Sequence, residues 1–551
     1  MTGWLTPSEL RIGLGCMRLE DEAAATIAAA VESGITVFDT ARAYDGSEAL
    51  LAHALRGVDG ARIVTKGGMS RAGGAWIPDG RAKAIRADCE ASLEALNGLP
   101  IDLYLLHVPD PRTPLRTSVR ALARLVDDGL VARVGVCNVS RVQLDEALAW
   151  APIAAVQVAI NPFDDRALRG GVVERCAELG IAVIAHSPLG GPKRAPRLPR
   201  HEALAEIAAD HGATEAEVAL AWLVGLGPEV VAIPGARRPE TARSAAHAAS
   251  LRLRDDERDR LGRARREPAR ATGGGDAVVV MGVPGAGKSR VAADYAARGY
   301  VRLNRDERGG SLADIADALD EMLESGSREV VLDNTYLKRA ARNRIVEAAA
   351  RHGVPARCIW VDTPLAQAQV NLVERLLDRF GALPAPEELE QAARSEAGLL
   401  SATQQMRAFR ELEPPAEDEG FTAVEHMPFV RASRKGMAGV FVAASVVESV
   451  PVQGAEPGAP HLVFDWRPGG DLDELEPARA AVAAAVSGPV EAAVCPHPGG
   501  PPTCWCRPPL PGLLLAFARR QDVDPASSLV VGASPAHRTL ARTLGARYVT
   551  A

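Results

Sequence analysis

The first half of the chain alternates short apolar runs, rich in β-branched residues, with Ala-rich amphipathic stretches of helical period. The apolar runs are ITVFDT, ARIVTK, IDLYLLH, VARVGVC, AAVQVAI, IAVIAHS and EVVAIPG. At least seven strand–helix alternations over about 250 residues are typical of a parallel (β/α)8 barrel, the TIM barrel, rather than of a doubly wound sheet. Functional side chains of such barrels follow the carboxyl ends of strands, so polar residues at those ends are the candidates for a site.

Two breaks in this pattern divide the chain. Residues 261–277 read LGRARREPARATGGGDA, a basic helix end followed by Pro and three glycines, and an apolar run resumes after them. Near residues 430–437 a second basic segment, VRASRKGM, follows an acidic, Pro-containing stretch. We therefore predict an α/β protein with a barrel domain at residues 1–265, a linker at 266–276, and smaller α/β domains at 277–431 and 438–551.

The composition is that of a globular protein with an acidic surplus. The 551 residues include 47% hydrophobic and 24% charged side chains, and the formal net charge is −7. An acidic chain has no general attraction for nucleic acid, so any polynucleotide would bind through a local site. No apolar run approaches the ~18 residues of a membrane span, and the first residues, MTGWLTPSEL, lack the basic and apolar parts of a signal peptide. We expect a cytoplasmic protein without a membrane partner; the sequence leaves its oligomeric state open.

Four polar residues follow predicted barrel strands. Asp39 ends VFD, Tyr44 comes five residues later, Lys66 ends IVTK, and His107 ends YLLH. A tyrosine, with an ordinary pKa near 10, is a weak acid at neutral pH unless a nearby ammonium stabilises its phenolate, and a buried ammonium needs a carboxylate. Tyr44, Lys66 and Asp39 provide such a chain, and we predict that all four residues form one catalytic site at the mouth of the barrel.

With these residues in this order, residues 10–262 resemble the aldo-keto reductases. The resemblance implies that Tyr44 donates a proton to a carbonyl group while NAD(P)H delivers hydride. It implies that Lys66 and Asp39 tune Tyr44 and that His107 orients the carbonyl oxygen. The motifs GVCNVS, VQVAINP, SPLG and IPGARRPE add cofactor positions, which are Asn138, Gln157, Ser187, Leu189, Gly235, Arg237 and Arg238. The two arginines would pair with a 2′-phosphate, which favours NADP over NAD.

Three positions depart from that family's pattern. Cys137 stands where the family usually has Ser, and a thiol is a weaker hydrogen-bond donor. His186 takes the place of the aromatic residue that stacks on nicotinamide, which would make stacking weaker or pH-dependent. The helix after IPGARRPE lacks the Asn usual at the adenine site. A second interpretation therefore stays open, in which the barrel serves as a scaffold without catalysis.

The segment VVVMGVPGAGKSRVA is a complete Walker A motif between an apolar strand and a helical pattern. Gly282, Gly285 and Gly287 let backbone N–H groups close on the phosphates of a nucleotide. Lys288 would bridge the β- and γ-phosphates, and Ser289 would bind Mg²⁺. The motif predicts a site for ATP with Mg²⁺, but it does not name a reaction, because the same loop serves kinases, GTPases and motor proteins.

Residues downstream of this motif resemble the kinase domain of polynucleotide 5′-hydroxyl kinases, over nearly all of residues 276–431. Asp306 follows a strand in YVRLNRDERGG, Asp333 ends the strand REVVLD, and Arg375 lies in the helix QAQVNLVERLLDR. The resemblance implies that Asp306 takes the proton from a 5′-hydroxyl and that Asp333 supports the metal. It implies that Arg375 neutralises charge on the transferred phosphoryl group.

A basic helix follows Asp333. Lys338, Arg339, Arg342 and Arg344 crowd its start, where they would contact strand phosphates or form a solvated surface. Residues 276–431 contain 19 basic against 25 acidic side chains, which argues against tight binding of long nucleic acid. The phosphate acceptor therefore stays open between a 5′-hydroxyl end of a polynucleotide and a smaller hydroxyl compound.

Cys495, His497, Cys504 and Cys506 form a C-x-H…C-x-C set around a Gly/Pro loop. Soft ligands in two close pairs predict a tetrahedral Zn²⁺ site; the alternative is a loop of reduced cysteines. With VVGASPAHRTLARTLGARY afterwards, this region resembles haloacid-dehalogenase-type (HAD-like) phosphatases such as the histidinol and heptose bisphosphate phosphatases.

The catalytic aspartates of that superfamily are missing. The strand GVFVAASVVES has Ala443 and Ser445 at their places, and the other register, LVFDWRPGG, has Asp465 but then Arg467. Without a carboxylate nucleophile no phosphoaspartate forms, so the resemblance implies an inactive, zinc-stapled HAD-like domain.

The sequence as a whole predicts a fusion of an NADP-dependent aldo-keto reductase, which acts on a small carbonyl compound, with an ATP-dependent kinase and an inactive phosphatase-like domain. The competing hypothesis is a nucleotide-binding sensor or scaffold in nucleic-acid repair whose barrel is not catalytic.

Overall fold

The computed structural model describes residues 4–6, 8–19, 23–72, 75–261, 274–431, 436–447 and 457–551. The chain forms two compact units, residues 1–267 and 268–551. Most of the predicted linker at 266–276 lies outside the described residues.

A parallel sheet of eight strands forms the centre of the first unit. Its strands are β1 Leu14–Gly15, β2 Val37–Asp39, β3 Arg62–Gly67, β6 Ile101–Leu106, β7 Val134–Cys137, β8 Ile153–Ala159, β9 Ala182–His186 and β10 Val230–Ala232. They are ordered β1-β2-β3-β6-β7-β8-β9-β10. Parallel bridges from Ile12 to Ala232 and from Gly15 to Gly235 join the two edges, so the sheet curls into a closed barrel and the predicted (β/α)8 barrel is confirmed for this unit.

The outer ring of this unit is helical. Its helices are α1 Ala23–Glu32, α2 Ser47–Ala54, α3 Ala82–Leu96, α4 Leu115–Asp127, α5 Arg141–Leu148, α6 Arg166–Arg169, α7 Val172–Leu179, α8 Gly191–Arg194, α9 Glu202–His211, α10 Glu215–Val224, α11 Pro239–His247 and α12 Asp255–Leu261. In α4 the buried side chains Leu115, Val119, Leu122 and Leu125 recur at helical spacing. Such spacing gives an amphipathic helix one apolar face, and this face packs against the strands.

Two elements of the barrel unit have no counterpart in the sequence prediction. Strand β1 is only two residues long, too short to show a period. An antiparallel hairpin, β4 Met69–Ala72 and β5 Ala75–Pro78, follows β3 and carries Trp76.

The second unit contains two parallel sheets. The first is ordered β12-β13-β11-β14-β15, and its strands are β11 Asp276–Met281, β12 Val301–Leu303, β13 Glu329–Asp333, β14 Ala356–Asp362 and β15 Ala423–Pro428. Its helices are α13 Lys288–Ala296, α14 Arg305–Arg308, α15 Leu312–Glu324, α16 Arg339–Arg351, α17 Leu365–Phe380, α18 Pro386–Ala392 and α19 Ala402–Arg410. The central strand β11 runs directly into the Walker A segment, as the motif requires.

The second sheet is ordered β18-β17-β16-β19-β20. Its strands are β16 Val440–Ala443, β17 His461–Trp466, β18 Val490–Cys495, β19 Leu529–Gly532 and β20 Arg547–Thr550, and its helices are α20 Glu476–Ala485, α21 Gly512–Arg520 and α22 Pro535–Leu544. Each of the two sheets has buried side chains of its own, and α17 joins the two parts, since its Leu372 and Leu376 belong to the same buried cluster as Phe441 and Phe517. Among the described helices, none is long and apolar enough to cross a bilayer.

Candidate active sites

The barrel strands β2, β3 and β8 bring three polar side chains together. Lys66 Nζ donates to Asp39 Oδ1 at 2.6 Å and to Thr40 O at 2.8 Å. Gln157 Nε2 donates to Asp39 Oδ2 at 2.6 Å. Lys66 and Asp39 are 1% and 4% exposed, and a buried ammonium of this kind is stable only beside a carboxylate. Burial lowers the pKa of Lys66, but the Asp39 charge reverses that shift and holds the pKa above its ordinary value.

Tyr44 lies over this pair, with Lys66 Nζ 5.2 Å from the centroid of its ring. Burial raises the pKa of Tyr44, while the Lys66 ammonium acts in the opposite direction without cancelling the rise. The sequence predicts an ammonium that makes the phenol more acidic, and in the structure burial outweighs that influence. Tyr44 is therefore protonated at neutral pH and able to donate its proton.

His107 faces Tyr44 edge-on, with the ring centroids 5.7 Å apart. Burial lowers the pKa of His107 to about 3, and the Lys66 charge adds to the shift. A neutral imidazole so close to the Tyr44 phenol suits the orientation of a carbonyl oxygen by hydrogen bonding.

These side chains open into a cavity of about 660 Å³ at the carboxyl ends of the strands. The sequence-predicted residues that line it are Asp39, Tyr44, His107, Asn138, Gln157, Ser187, Leu189, Gly235 and Arg237. Lys66 lies beneath Tyr44 rather than in the lining, and Arg238 precedes α11 outside the lining.

Trp76 is a functional candidate that sequence reasoning missed. Its ring lies edge-on to Tyr44 at 6.3 Å and to His107 at 6.0 Å between centroids, and it lines the cavity. Arg71 lies over the outer part of the same ring at 5.1 Å. In the sequence, Trp76 stands alone between two glycines and a proline in AGGAWIP. This segment shows neither the helical nor the strand period of apolar residues, so it gave no sign of an element that carries the Trp.

The positions that depart from the resemblance have specific surroundings. His186 Nε2 lies 3.0 Å from Asn138 Oδ1, and Asn138 Nδ2 donates to His107 O at 3.1 Å. Burial lowers the pKa of His186 to about 4, so this ring stays neutral across the physiological range. Cys137 is buried inside the barrel and does not line the cavity.

In the second unit the phosphate-binding loop adopts the conformation that its glycines permit. Gly282, Gly285 and Gly287 have φ angles of 153°, 85° and 96°. A Cβ atom at Gly285 would lie 2.5 Å from Ala368 O, so this position also requires the absence of a side chain. Lys288 and Ser289 begin α13, and Lys288 Nζ donates to Val283 O at 3.0 Å.

The charges of three sequence-predicted residues, Asp306, Asp333 and Arg375, act on Lys288. Burial lowers the pKa of Lys288 to about 8, with Asp333 and Asp306 opposing the shift and Arg375 adding to it. Asp306 is exposed on α14, whose start is capped by Asn304 Oδ1 accepting from the Asp306 N–H at 2.7 Å. Arg375 is exposed on α17, and its Nη1 donates to Gly398 O at 3.4 Å.

Asp333, the predicted metal-supporting acid, is buried and has partners for its carboxylate. It is 1% exposed, forms an ion pair with Arg302 and accepts from Asn304 Nδ2 at 3.2 Å. Asn304, which donates to Asp333, also accepts from the Asp306 N–H, so Asp333 is connected to the start of α14 through this side chain.

The basic helix α16 is not an open cationic face. Arg342 is fully buried and makes a bidentate ion pair with Glu419 at 2.7 and 2.6 Å. Arg339 pairs with Asp418 at 2.9 Å, and its side chain is 6% exposed. The prediction that these two arginines contact strand phosphates is therefore wrong, because both are used inside the fold.

The third cluster is the Cys/His loop after β18. Cys506 Sγ lies 3.2 Å from Cys495 Sγ and from His497 Nδ1, and Cys504 Sγ lies 3.8 Å from Cys495 Sγ. All four ligand atoms lie within 4.8 Å of one another, and three thiols with one imidazole are a donor set that Zn²⁺ accepts. At the end of the central strand β16 stands Ala443, while Asp465 on β17 pairs with Arg467 at 3.0 Å.

The first unit is thus a closed (β/α)8 barrel with a Tyr, Lys, Asp and His site in its mouth, the class of the barrel oxidoreductases. Residues 11–266 match the aldo/keto reductase family, and residues 278–399 match the AAA domain, a P-loop family. Aldo-keto reductase str7 of Strobilurus tenacellus is 32% identical over 276 residues, which are 44% of this chain and 81% of that protein. Probable aldo-keto reductase 1 of Glycine max is 32% identical over 268 residues, 41% of this chain and 76% of that protein.

An aldo-keto reductase from Klebsiella pneumoniae, solved in complex with NADPH, is 30% identical and covers 46% of this chain and 90% of its own, with a TM-score of 0.40. The chain belongs to the aldo-keto reductase family, and it carries a P-loop AAA domain in addition.

Proposed function

We propose that the protein joins two chemistries: NADP(H)-dependent reduction of a small carbonyl compound in the barrel, and ATP-dependent phosphorylation of a hydroxyl group at the P-loop. The observation that carries the first is the contact of Lys66 with Asp39 beneath a protonated Tyr44. The observation that carries the second is the phosphate-binding loop with its three positive-φ glycines, which leads into Lys288 and Ser289 at the start of α13. The charges of Asp306, Asp333 and Arg375 all act on Lys288, which supports the same conclusion.

In the reductase step the carbonyl oxygen of the substrate lies between the Tyr44 hydroxyl and the His107 ring. NADPH, when bound, supplies hydride to the carbonyl carbon. Tyr44 donates its proton to the oxygen as the C=O bond becomes C–OH, and the Lys66 ammonium stabilises the phenolate that remains. Asp39 keeps Lys66 charged, and Gln157 keeps Asp39 in place.

The cofactor would lie along the cavity residues Asn138, Gln157, Ser187, Leu189 and Gly235. Arg237 lines the same cavity and would pair with a 2′-phosphate, with Arg238 beside it in sequence, which supports NADP over NAD. A relative that is 30% identical was solved with NADPH. The substrate end is formed by Tyr44, His107 and Trp76, so we propose an uncharged, apolar carbonyl compound.

NADPH oxidation with a panel of aldehydes and ketones tests this half of the proposal. Tyr44→Phe removes the proton donor and keeps the ring, so it should abolish turnover while NADPH still quenches protein fluorescence on binding. Leu148→Ile, remote from the cavity on α5, serves as the matched control.

In the kinase step Lys288 and the loop N–H groups hold the triphosphate, and Ser289 would bind Mg²⁺. Asp306 accepts the proton of the attacking hydroxyl, and Arg375 neutralises charge on the transferred phosphoryl group. The acceptor is a small hydroxyl compound or a 5′-hydroxyl nucleic-acid end; the burial of Arg339 and Arg342 supports the smaller acceptor.

Transfer of labelled phosphate from ATP to acceptors that range from nucleosides to duplex ends tests this half. Lys288→Ala should abolish transfer, and Asp306→Asn should lower it without weakening ATP binding. Binding of both nucleotides without turnover at either site would identify a nucleotide-binding sensor or scaffold instead.

For the C-terminal sheet we propose a structural Zn²⁺ site at Cys495, His497, Cys504 and Cys506 in an inactive HAD-like fold. Ala443 at the end of the central strand, in place of a nucleophilic carboxylate, supports the lack of phosphatase activity. Metal analysis of the purified chain should find one zinc per chain, and Cys504→Ser with Cys506→Ser should lose it. None of the eight cysteines, all of which the structure describes, is in a disulfide bond, which fits a reducing, cytoplasmic location.

A further inference from the structure

The loop that carries the Cys/His cluster is hydrogen-bonded to the start of helix α19. Trp505 lies between Cys504 and Cys506, and its Nε1 donates to Leu400 O at 2.9 Å. Pro502 O, in the same loop, accepts from the Thr403 N–H at 3.2 Å and from Thr403 Oγ1 at 2.7 Å. Three hydrogen bonds therefore fix the first turn of α19 to the Cys/His loop.

The same helix holds the phosphate-binding loop. Gln405 is fully buried on α19, and its Nε2 donates to Pro284 O, between Gly282 and Gly285, at 3.0 Å. From the other side, Asn371 of α17 donates its Nδ2 to Gly285 O at 2.8 Å. A loop that binds phosphate with its N–H groups must turn its carbonyls elsewhere, and these two amides supply the partners that such carbonyls need.

Gln405 has little freedom to do anything else. Its Oε1 is buried and has no hydrogen-bond partner in the part of the chain that the structure describes. A buried amide oxygen without a hydrogen-bond partner costs free energy, so Gln405 would not adopt this position by itself. Its surroundings impose the position, chiefly the way in which α19 packs. Trp505 and Thr403 contribute to that docking through their hydrogen bonds, together with the apolar packing of Leu399 and Ala402.

Helix α17 also packs against helices α21 and α22 of the C-terminal module, by which we mean residues 438–551. Gln367 Nε2 donates to Thr543 O of α22 at 3.0 Å, and Asp378 pairs with Arg519 of α21. Both helices that hold carbonyls of the phosphate-binding loop are thus supported by the C-terminal module.

We propose that the C-terminal module is a support for the nucleotide site, in which the metal-bound Cys/His loop fixes α19 and, through Gln405, the conformation of the phosphate-binding loop. This inference rests on the proposed binding of ATP and goes beyond it, since it gives the module a role that needs no phosphatase chemistry. Trp505, Thr403 and Gln405 are positioning residues, because they act on the nucleotide through the Pro284 carbonyl.

A pair of tryptophan variants tests the hydrogen-bonded connection in the full-length protein. Trp505→Phe keeps a ring in the core but removes the N–H that reaches α19. Trp466→Phe is the matched control, because Trp466 Nε1 donates to His497 O at 2.8 Å on the side of the loop that faces its own sheet. We expect Trp505→Phe to raise the Kd of a fluorescent ATP analogue about fivefold to tenfold, and Trp466→Phe to leave it within twofold.

Two more variants separate positioning from general loss of stability. Thr403→Val should raise the KM for ATP with little change in kcat at saturating ATP, and Thr403→Ser, which keeps the hydroxyl, should restore it. Gln405→Leu should give the largest rise in KM. Zinc content and NADPH affinity are measured for each variant and should not change.

The metal is tested directly by chelation of the purified protein. Removal of zinc should weaken binding of the ATP analogue at least tenfold, leave NADPH binding unchanged, and be reversed by added Zn²⁺. Equal ATP affinity with and without metal, or equal effects of the two tryptophan variants, would overturn the inference about the C-terminal module but not the proposed ATP site. Failure of the untreated wild-type protein to bind the ATP analogue would overturn the proposed nucleotide site and the inference with it.

Discussion

Lys66 Nζ and Asp39 Oδ1 lie 2.6 Å apart in a barrel where both side chains are almost fully buried. Each charge compensates the other, and the pair lies beneath the Tyr44 ring. Apolar residues of similar volume often stabilise a fold at least as well as a buried ion pair, so what distinguishes this pair is the ammonium that it places beside the Tyr44 ring.

Asp39→Asn should therefore damage both stability and chemistry. The variant leaves the Lys66 ammonium buried without a charged partner, which costs about 3–5 kcal/mol when one member of such a pair is removed. Thermal unfolding monitored by circular dichroism should show a lower midpoint, and carbonyl reduction should fall with it. Gln157→Leu, which removes only one neutral donor to Asp39, should destabilise less. Equal stability of Asp39→Asn and wild type would contradict the pairing.

The pH dependence of carbonyl reduction should be unusually flat. Reduction needs protonated Tyr44, whose pKa burial raises above its ordinary value, so activity should decline only at strongly alkaline pH. On the acid side burial lowers the pKa of His107 to about 3 and that of His186 to about 4, so neither ring should titrate above pH 5. Profiles of kcat/KM against pH check this; a decline near pH 6.5, where an ordinary histidine titrates, would show that one of these rings is exposed to water.

Trp76 should determine which carbonyl compounds enter the barrel. Its ring contacts the Tyr44 and His107 rings edge-on and is 41% exposed, so its truncation affects the cavity more than the fold. Trp76→Ala should lower kcat/KM for aromatic aldehydes by about fivefold to tenfold, as expected for loss of an aromatic contact, and leave the smallest aldehydes nearly unaffected. Trp76→Phe should recover most of the preference. An equal loss for all aldehydes would assign Trp76 a role in stability instead.

The four polar residues of the barrel could be predicted from sequence because parallel topology places every strand's carboxyl end at the same mouth. The role of Trp76 could not be predicted, because Trp76 lies on a hairpin whose strands have only four residues each. Strands this short do not show a recognisable alternation of apolar and polar residues. The burial of Arg342 could not be predicted either: a cationic helix pattern looks the same whether it faces water or Glu419, which lies 77 residues further along the chain. Likewise, the core shared by α17 and the C-terminal sheet depends on long-range packing that no local pattern encodes.

Arg342 and Lys338 should differ sharply on substitution. Arg342→Met leaves Glu419 buried and unpaired, so unfolding of the second unit should be easier by about 3–5 kcal/mol. Lys338 is 46% exposed and lies 3.6 Å from Glu413, so Lys338→Met should change stability by less than about 1 kcal/mol. Urea unfolding of both variants measures the difference. If Arg342→Met lost nucleic-acid binding but kept its stability, the interpretation that Arg342 contacts strand phosphates would be correct after all.

ATP binding should weaken above pH 8. Because burial lowers the pKa of Lys288 to about 8 in the nucleotide-free protein, its ammonium is lost as the pH rises through that value, and with it the attraction for the phosphates. Titrations at pH 7 and pH 9 should differ by about tenfold in Kd. Lys288→Arg, whose guanidinium stays charged, should bind ATP more weakly at pH 7 but with no such dependence. A wild-type Kd that is constant over this range would show that the ammonium is solvated.

A crossed assay of one protein preparation tests the central claim, that a single chain holds two independent catalytic sites. NADPH oxidation with an apolar aldehyde and phosphate transfer from ATP to a hydroxyl acceptor are measured for wild type, Tyr44→Phe and Lys288→Ala. We expect Tyr44→Phe to lose only reduction, by about 10²- to 10⁴-fold, and Lys288→Ala to lose only phosphate transfer. A wild-type protein with neither activity, or a variant that loses both, would contradict the central claim.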